Sequence, residues 1–385
     1  MMMRLHKHAD NRLIPEGFCV KGEVISFSSG LSLFGCLKHG KRISRGVHLQ
    51  KALQNQKISK HTDIQETKMA TIELMEVDKV EILTLQDNYI DLASQDGNEV
   101  VQRAMPLNGL EFSNSISAEH GFSALVSITS GDSVRTVLFD FGFSKSGAYE
   151  NAKAINADLS SVEMMALSHG HADHTGGFDS LVGAIGKTGI QMVAHPAAFR
   201  EGRVIKITDE FKIIMPILEK AQVAAAGVEL IESAGPYPML DGGLCFLGEV
   251  PRKSDFEKGA ASFQYIENGE EKWDAINDDT SLVAHVKGKG LVILSGCAHS
   301  GIVNTVNYAK ELTGINELYA VMGGFHLTGG EFAGIIEPTA KALKELNPRY
   351  IVPTHCTGRD ASVRIQSEMP DQFLLNMSGT RMVFA

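Results

Sequence analysis

The chain has 385 residues, 43% hydrophobic and 21% charged, an ordinary globular composition with enough apolar material for a large core. A formal net charge of −10 argues against nonspecific nucleic-acid binding, which needs clustered Lys and Arg, and no apolar run reaches the roughly 18 residues of a membrane span. Five scattered cysteines, Cys19, Cys36, Cys245, Cys297 and Cys356, form no disulfide framework and point to a reducing, cytoplasmic setting.

Residues 1–68 differ from the rest. They hold 12 Lys and Arg against 5 Asp and Glu, whereas the remainder holds 24 against 41. Gln54–Lys68 is almost entirely polar. The segment reads as a poorly ordered basic extension, a targeting segment or the product of an upstream start before Met69. A folded domain is expected over 69–385.

From Ile72 short β-rich runs alternate with Gly-rich turns and helical patches. Strands are expected at Val80–Leu85, then at Phe122–Ile128 and Val134–Phe139 as a hairpin through Ser130-Gly131-Asp132. Glu163–Leu167 and Ile190–Ala194 follow, with a helix over Phe178–Ile185 between them. The run Glu210–Ala226 is a longer helical candidate. Strands are expected again at Leu244–Val250, Ser281–Val286, Leu291–Leu294, Glu317–Met322 and Tyr350–Val352. Ile302, Val306, Ala309 and Leu312 recur at helical spacing. Pro338 stands at the start of a helical Glu337–Leu346, where a missing N–H costs nothing. The mixture predicts an α/β (α+β) protein with sheets inside and helices outside.

The chemistry is concentrated in Leu167-Ser168-His169-Gly170-His171-Ala172-Asp173-His174-Thr175-Gly176-Gly177. Four ligand-type side chains fall within six residues, directly after a strand. Neutral imidazoles and a carboxylate are what Zn²⁺, Fe²⁺ or Mn²⁺ accept. In an extended loop His169 and His171 point the same way and can grip one ion. Asp173 and His174 follow a turn and can face a second. A surface loop rich in histidine by accident is the bland alternative; with 14 histidines in 385 residues, three in six positions is a poor accident.

The motif His169-x-His171-x-Asp173-His174 resembles the signature of the metallo-β-lactamase superfamily. Glu119-His120-Gly121-Phe122-Ser123, Leu138-Phe139-Asp140-Phe141-Gly142, Gly296-Cys297-Ala298-His299-Ser300-Gly301, Gly323-Gly324-Phe325-His326-Leu327 and Pro353-Thr354-His355-Cys356-Thr357-Gly358 follow the order of one branch. That branch is named for 7,8-dihydropterin-6-methyl-4-(β-D-ribofuranosyl)aminobenzene-5′-phosphate synthase. The resemblance spans about residues 75–385. It implies a four-layer αββα sandwich with the site at its edge. It also implies two divalent ions, Zn or else Fe or Mn: His169 and His171 on one, Asp173 and His174 on the other, and His355 as the last histidine ligand. The family usually adds a histidine and a bridging Asp. Here Gly296-Cys297 stands where Gly-Asp is usual, so His299 is taken as a ligand from this loop. Cys297 is a candidate to bind or bridge. The departure leaves metal number and identity open.

Further candidates have bland counterparts. Asp140 is expected to brace the histidine loop, or to be an ordinary turn residue. His326 would contact substrate or donate a proton, or be structural. His195, before Pro196, is a ligand or pocket candidate, with a structural turn the stronger reading. Arg252, Arg359 and Ser300, at a helix start that attracts anions, are candidates to bind an anionic small molecule; surface roles explain the arginines equally well. Catalysis would rest on Asp173 and His326. Three readings follow: a hydrolase of an ester, lactone or phosphodiester through activated water; a transferase joining a pterin methyl diphosphate to an aminobenzene ribose phosphate; or a non-catalytic metal-binding protein. A homo-oligomer is compatible with all three.

Overall fold

A computed structural model describes residues 71–112 and 114–385. The extension expected over 1–68, with Cys19 and Cys36, lies outside the described residues. Two large sheets face each other. One has eight strands, in the order Glu229–Glu232, Gln191–Ala194, Val162–Leu167, Ser133–Phe139, Ser123–Ser130, Lys79–Gln86, Arg381–Phe384 and Val101–Gln102. The other runs Tyr237–Met239, Leu244–Phe246, Ser281–Val286, Gly290–Ser295, Leu318–Gly324 and Tyr350–Thr354, with Glu76–Val77 also paired to Ser281–Val286.

Alternation of side chains explains why the sheets stack. Ala124, Val126 and Ile128 point inward from one strand, and Leu282, Ala284 and Val286 from a strand of the facing sheet; they meet in a single buried cluster with Phe139, Phe246 and Met322. The opposite faces are equally apolar. Leu125, Leu138, Met165 and Met192 pack under helices Gly147–Ala154 and Phe178–Ile185 through Ala148, Ala152, Phe178 and Leu181. Val283, Ile293, Val321 and Ile351 pack under helices Ile302–Thr313, Ile336–Leu346 and Arg359–Glu368 through Val306, Ala309, Leu343 and Ile365. The result is the four-layer αββα sandwich.

Most expected elements stand within a residue or two of their places. Two do not. Glu210–Ala226 is not one helix: Lys212–Ile214 is a strand and only Lys220–Ala225 is helical. Pro216 disfavours helix at Met215, and the β-branched pair Ile213–Ile214 pairs instead with Arg203–Lys206. The strand expected over Leu244–Val250 stops at Phe246; Gly248, at φ 71°, bends the chain away.

Lys212–Ile214 belongs to a third sheet, which pattern reading does not anticipate: Lys212–Ile214, Arg203–Lys206, Phe263–Glu267 and Glu270–Trp273. Among the described residues no helix is long and apolar enough to cross a membrane.

Candidate metal centre

Loops leaving several strand ends converge at one edge of the sandwich. Val162–Leu167 leads into Ser168–His174, Gly290–Ser295 into Cys297 and His299, Leu318–Gly324 into His326, and Tyr350–Thr354 into His355 and Cys356. Parallel pairing of Gly290–Ser295, Leu318–Gly324 and Tyr350–Thr354 puts three of these ends side by side. The loops turn sharply. Asp140, Ala298, His326 and His355 all hold positive φ (60°, 51°, 42° and 44°), a conformation that costs L-residues on the order of 1 kcal/mol and concentrates at functional sites. Gly170 is forced by contact: a Cβ there would lie 1.8 Å from the Ala198 carbonyl oxygen.

The imidazoles come together. Ring centroids are 4.5 Å apart for His169–His171, 4.8 Å for His169–His299, 4.7 Å for His171–His299 and 5.0 Å for His174–His355. Ligand-type atoms lie within 4.8 Å of one another in four groups: His169, His171 and Asp173; His169, Cys297 and His299; Asp173, His174, Cys297 and His355; and Cys297, His326 and Cys356. Cys297 falls in three of them. Its Sγ is 3.1 Å from His174 Nε2 and accepts from the Cys356 thiol at 3.1 Å.

Hydrogen bonds select the tautomers. Asp140 is fully buried; its Oδ1 accepts the Ser168 N–H at 2.7 Å, and its Oδ2 accepts the Ser168 hydroxyl at 2.7 Å and His174 Nδ1–H at 2.6 Å. With its proton committed to Asp140, Ser168 Oγ accepts His169 Nδ1–H at 2.9 Å. Asn88 Oδ1 accepts His355 Nδ1–H at 3.0 Å, and Asp87 accepts the His355 N–H at 2.9 Å. These bonds occupy Nδ1 of His169, His174 and His355 and leave Nε2 of each ring for other partners. The Nε2 atoms of His169, His171 and His299 are buried and without a hydrogen-bond partner. An unsatisfied buried polar atom costs about 1–3 kcal/mol; His171 lies within ligand reach of His169 and Asp173, and His299 of His169 and Cys297, neighbours that fit a cation.

Electrostatics agree. Burial holds His169 and His299 well below the usual imidazole range, and burial with the nearby Arg203 cation brings His171 down to about 4, so all three are neutral donors. Burial opposes a charge on His174 as well, but the Asp140 and Asp173 carboxylates outweigh it and raise that ring to about 9. A field that favours a proton at His174 Nε2 favours a metal cation there too. Asp173 is held well below the usual carboxylate range against its burial by His174, His120 and His355. His120, itself raised by Asp173, sits with Nε2 3.4 Å from the Asp173 carboxylate and is exposed.

The other sequence candidates divide. His326 lies tilted against His299 at 4.1 Å and edge-to-face against Phe332 at 4.7 Å, and lines a cleft of about 480 Å³ with His120, His171 and Asp173. Ile205, Ile213, Ile214 and Phe263 of the small sheet form much of its wall. His195 joins none of the ligand groups; its Nδ1 accepts the Ala197 N–H at 3.1 Å and caps the turn Pro196–Phe199. Arg252 gives one terminal nitrogen to the backbone carbonyls of Ala275 and His299, while its buried Nε has no hydrogen-bond partner, and it neither lines the 480 Å³ cleft nor joins a ligand group. Ser300 is 1% exposed and gives its N–H to Asp279 at 2.8 Å. The helix start it introduces already holds an anion, because Glu257 accepts the N–H groups of Val303 and Asn304 at 2.9 Å each. Arg359 is exposed and lines a separate cavity of about 670 Å³ with Asn88 and His355, not the 480 Å³ cleft. Sequence reading missed Asn88, Asp278 and Asp279. Their partners lie far off along the chain, and nothing local distinguishes them from turn residues.

Comparison with known proteins places this arrangement. The model of the metallo-β-lactamase superfamily matches residues 124–310, and the chain belongs to that superfamily. Within it, the chain is 34% identical over 261 residues to the 7,8-dihydropterin-6-methyl-4-(β-D-ribofuranosyl)-aminobenzene-5′-phosphate synthase of Methanocaldococcus jannaschii, covering 66% of this chain and 87% of the relative. It is 35% identical to a second protein of that organism, the uncharacterised MJ0448, covering 64% of this chain and 88% of that one. Among solved structures, Tm1679, a metal-dependent hydrolase of the β-lactamase superfamily, matches with a TM-score of 0.58 and 26% identity over 79% of this chain and 98% of that one.

Proposed function

We propose that this protein is a hydrolase dependent on divalent metal, acting on an ester, lactone or phosphodiester bond of a small molecule in the 480 Å³ cleft. The observation that carries the reading is the set of buried, unpartnered Nε2 atoms of His169, His171 and His299 beside Asp173, His174 and His355. His169, His171 and His299 would hold one ion and Asp173, His174 and His355 the other, with Cys297 within reach of both. A thiolate in that place favours Zn²⁺ or Fe²⁺ over Mn²⁺. Cations so held polarise a substrate oxygen and bring the pKa of water towards neutrality.

The chain's own groups do the rest. Asp173, 18% exposed and lining the cleft, would orient the attacking water. His326, which lines the same cleft, would donate a proton to the leaving oxygen. Phe263, Phe332, Ile213 and Ile214 exclude water from the remote part of the substrate. Arg252 and Ser300 act through the His299 loop, not on substrate. The test is a panel of phosphodiesters, lactones and thioesters turned over by metal-loaded protein in H₂¹⁸O. Solvent oxygen should enter the product, and turnover should fall on the order of 10³-fold after chelation. Full activity in stripped protein would sink the reading.

A second reading has its own support. The 34%-identical relative is named as a synthase, and two aromatic rings, Phe263 and Phe332, flank His326 at 5.5 and 4.7 Å, a setting that suits a flat heterocycle. On this reading the enzyme joins a pterin methyl diphosphate to an aminobenzene ribose phosphate. A new C–N bond and released diphosphate, with no ¹⁸O in the organic product, would decide for it.

A further inference from the structure

Three consecutive residues fasten the two loops that carry His169, His171 and His299. Asp278 Oδ2 accepts the N–H of Gly170, the residue between His169 and His171, at 2.8 Å. Asp279 accepts the N–H groups of His299 and Ser300 at 2.9 and 2.8 Å. Thr280 donates its N–H to the Ser168 carbonyl at 3.1 Å. Both carboxylates are buried. Hydrogen bonds from backbone N–H to a carboxylate are charge-assisted and short, so each loop has one low-energy position.

The clamp is itself anchored. Arg203, fully buried, gives both terminal nitrogens to Asp278 and its Nε to Asp274 at 2.8 Å. Arg200 donates to the other Asp274 oxygen at 2.6 Å. Arg203 also begins the strand whose Ile205 lines the cleft. Other supports act beside the clamp: Asp140 braces His174 directly and His169 through Ser168, and Asp87 with Asn88 braces His355.

We propose that Asp278 and Asp279 are positioning residues that set the distance between the His169–His171 loop and the His299 loop, and thereby the affinity of that one metal position and not of the Asp173–His174–His355 position. The proposal rests on reading the histidine set as a metal centre. Ligands must be held within about 0.5 Å for full affinity, and loss of such supports costs about 10–100-fold. Arg203 extends the clamp to the cleft wall, so the wall and this ligand set are fixed by one ion-paired group.

The experiment is a Co²⁺ titration of the metal-free full chain against a chromophoric chelator, comparing wild type with Asp278→Asn and Asp279→Asn. Wild type should take two equivalents. Each variant should bind one of them about 10–100-fold more weakly, with the ligand-field bands of that ion alone displaced. Variants that keep both affinities, or lose both in parallel, overturn the proposal. A wild type that takes up no Co²⁺ overturns the metal reading first, and this inference with it. Hydrogen exchange on the metal-free wild type needs no variant: the amides of Gly170, His299 and Ser300 should exchange as slowly as those of the central strands. Fast exchange there, slowed only by adding Co²⁺, contradicts the clamp even if neither variant folds.

Discussion

The large sandwich and the small four-stranded sheet are built from similar residues to opposite effect. In the sandwich, Phe246, Phe139 and Phe384 are fully buried between layers. In the small sheet, Ile214 is 78% exposed and Phe211, in the turn beside it, 57%. Only Ala260, Phe263 and Ile276 form a buried cluster beneath it, with Ile205 and Phe332 packed alongside. The sandwich spends its apolar surface on stability and carries the histidine-bearing loops at its edge. The small sheet turns part of its apolar surface towards the cleft, where a substrate can cover it. On the proposed function, fixed chemistry and adjustable selectivity would fall to different sheets.

The sharpest way to break this contrast is a pair of truncations read by urea unfolding. Phe246→Ala should cost about 3–5 kcal/mol, whereas Phe211→Ala on the exposed turn should stay within about 0.5 kcal/mol. Equal losses would erase the distinction.

The ion-paired anchor gives the next largest effect, through pH. Burial works against ionised Asp278, but Arg203 and the Gly170 N–H bring its pKa down to about 2. A carboxyl depressed in the folded state contributes stability above its unfolded value near 3.9, and loses it as pH falls through about 2. That contribution is on the order of 2–3 kcal/mol at neutral pH. Asp278→Asn should therefore flatten the acid limb of stability between about pH 4 and 2, measured by urea midpoints across that range; an unchanged limb would remove the ion pair from the account.

Asp140→Asn removes the carboxylate that orients His174 and Ser168, and should weaken metal binding about 10–100-fold in a chelator competition. The smallest effect belongs to the wall. Ile214→Ser should raise KM several-fold, roughly 1 kcal/mol of lost apolar contact, with kcat unchanged. A fall in kcat alone would mean the small sheet does more than bind.

What the sequence showed follows from the range of the interactions. His169, His171, Asp173 and His174 are neighbours along the chain, so their grouping was visible without a fold. The strands of the sandwich were visible because both faces are apolar. The small sheet escaped because its strands are three to five residues long and mostly half exposed, too short for a period to register. The anion site expected at Ser300 failed for a long-range reason: Glu257 reaches the helix start from 47 residues upstream. Asp278 was invisible for the same cause, since Gly170 lies 108 residues away. For Arg252, a sequence does not show that two backbone carbonyls hold one of its terminal nitrogens.

The most direct test is a crystal of the protein grown with Zn²⁺ and measured on both sides of the zinc absorption edge. Two anomalous peaks should stand close together, one among His169, His171 and His299 and one among Asp173, His174 and His355. A map with no peak at that sandwich edge, or with zinc bound only elsewhere, would contradict the account.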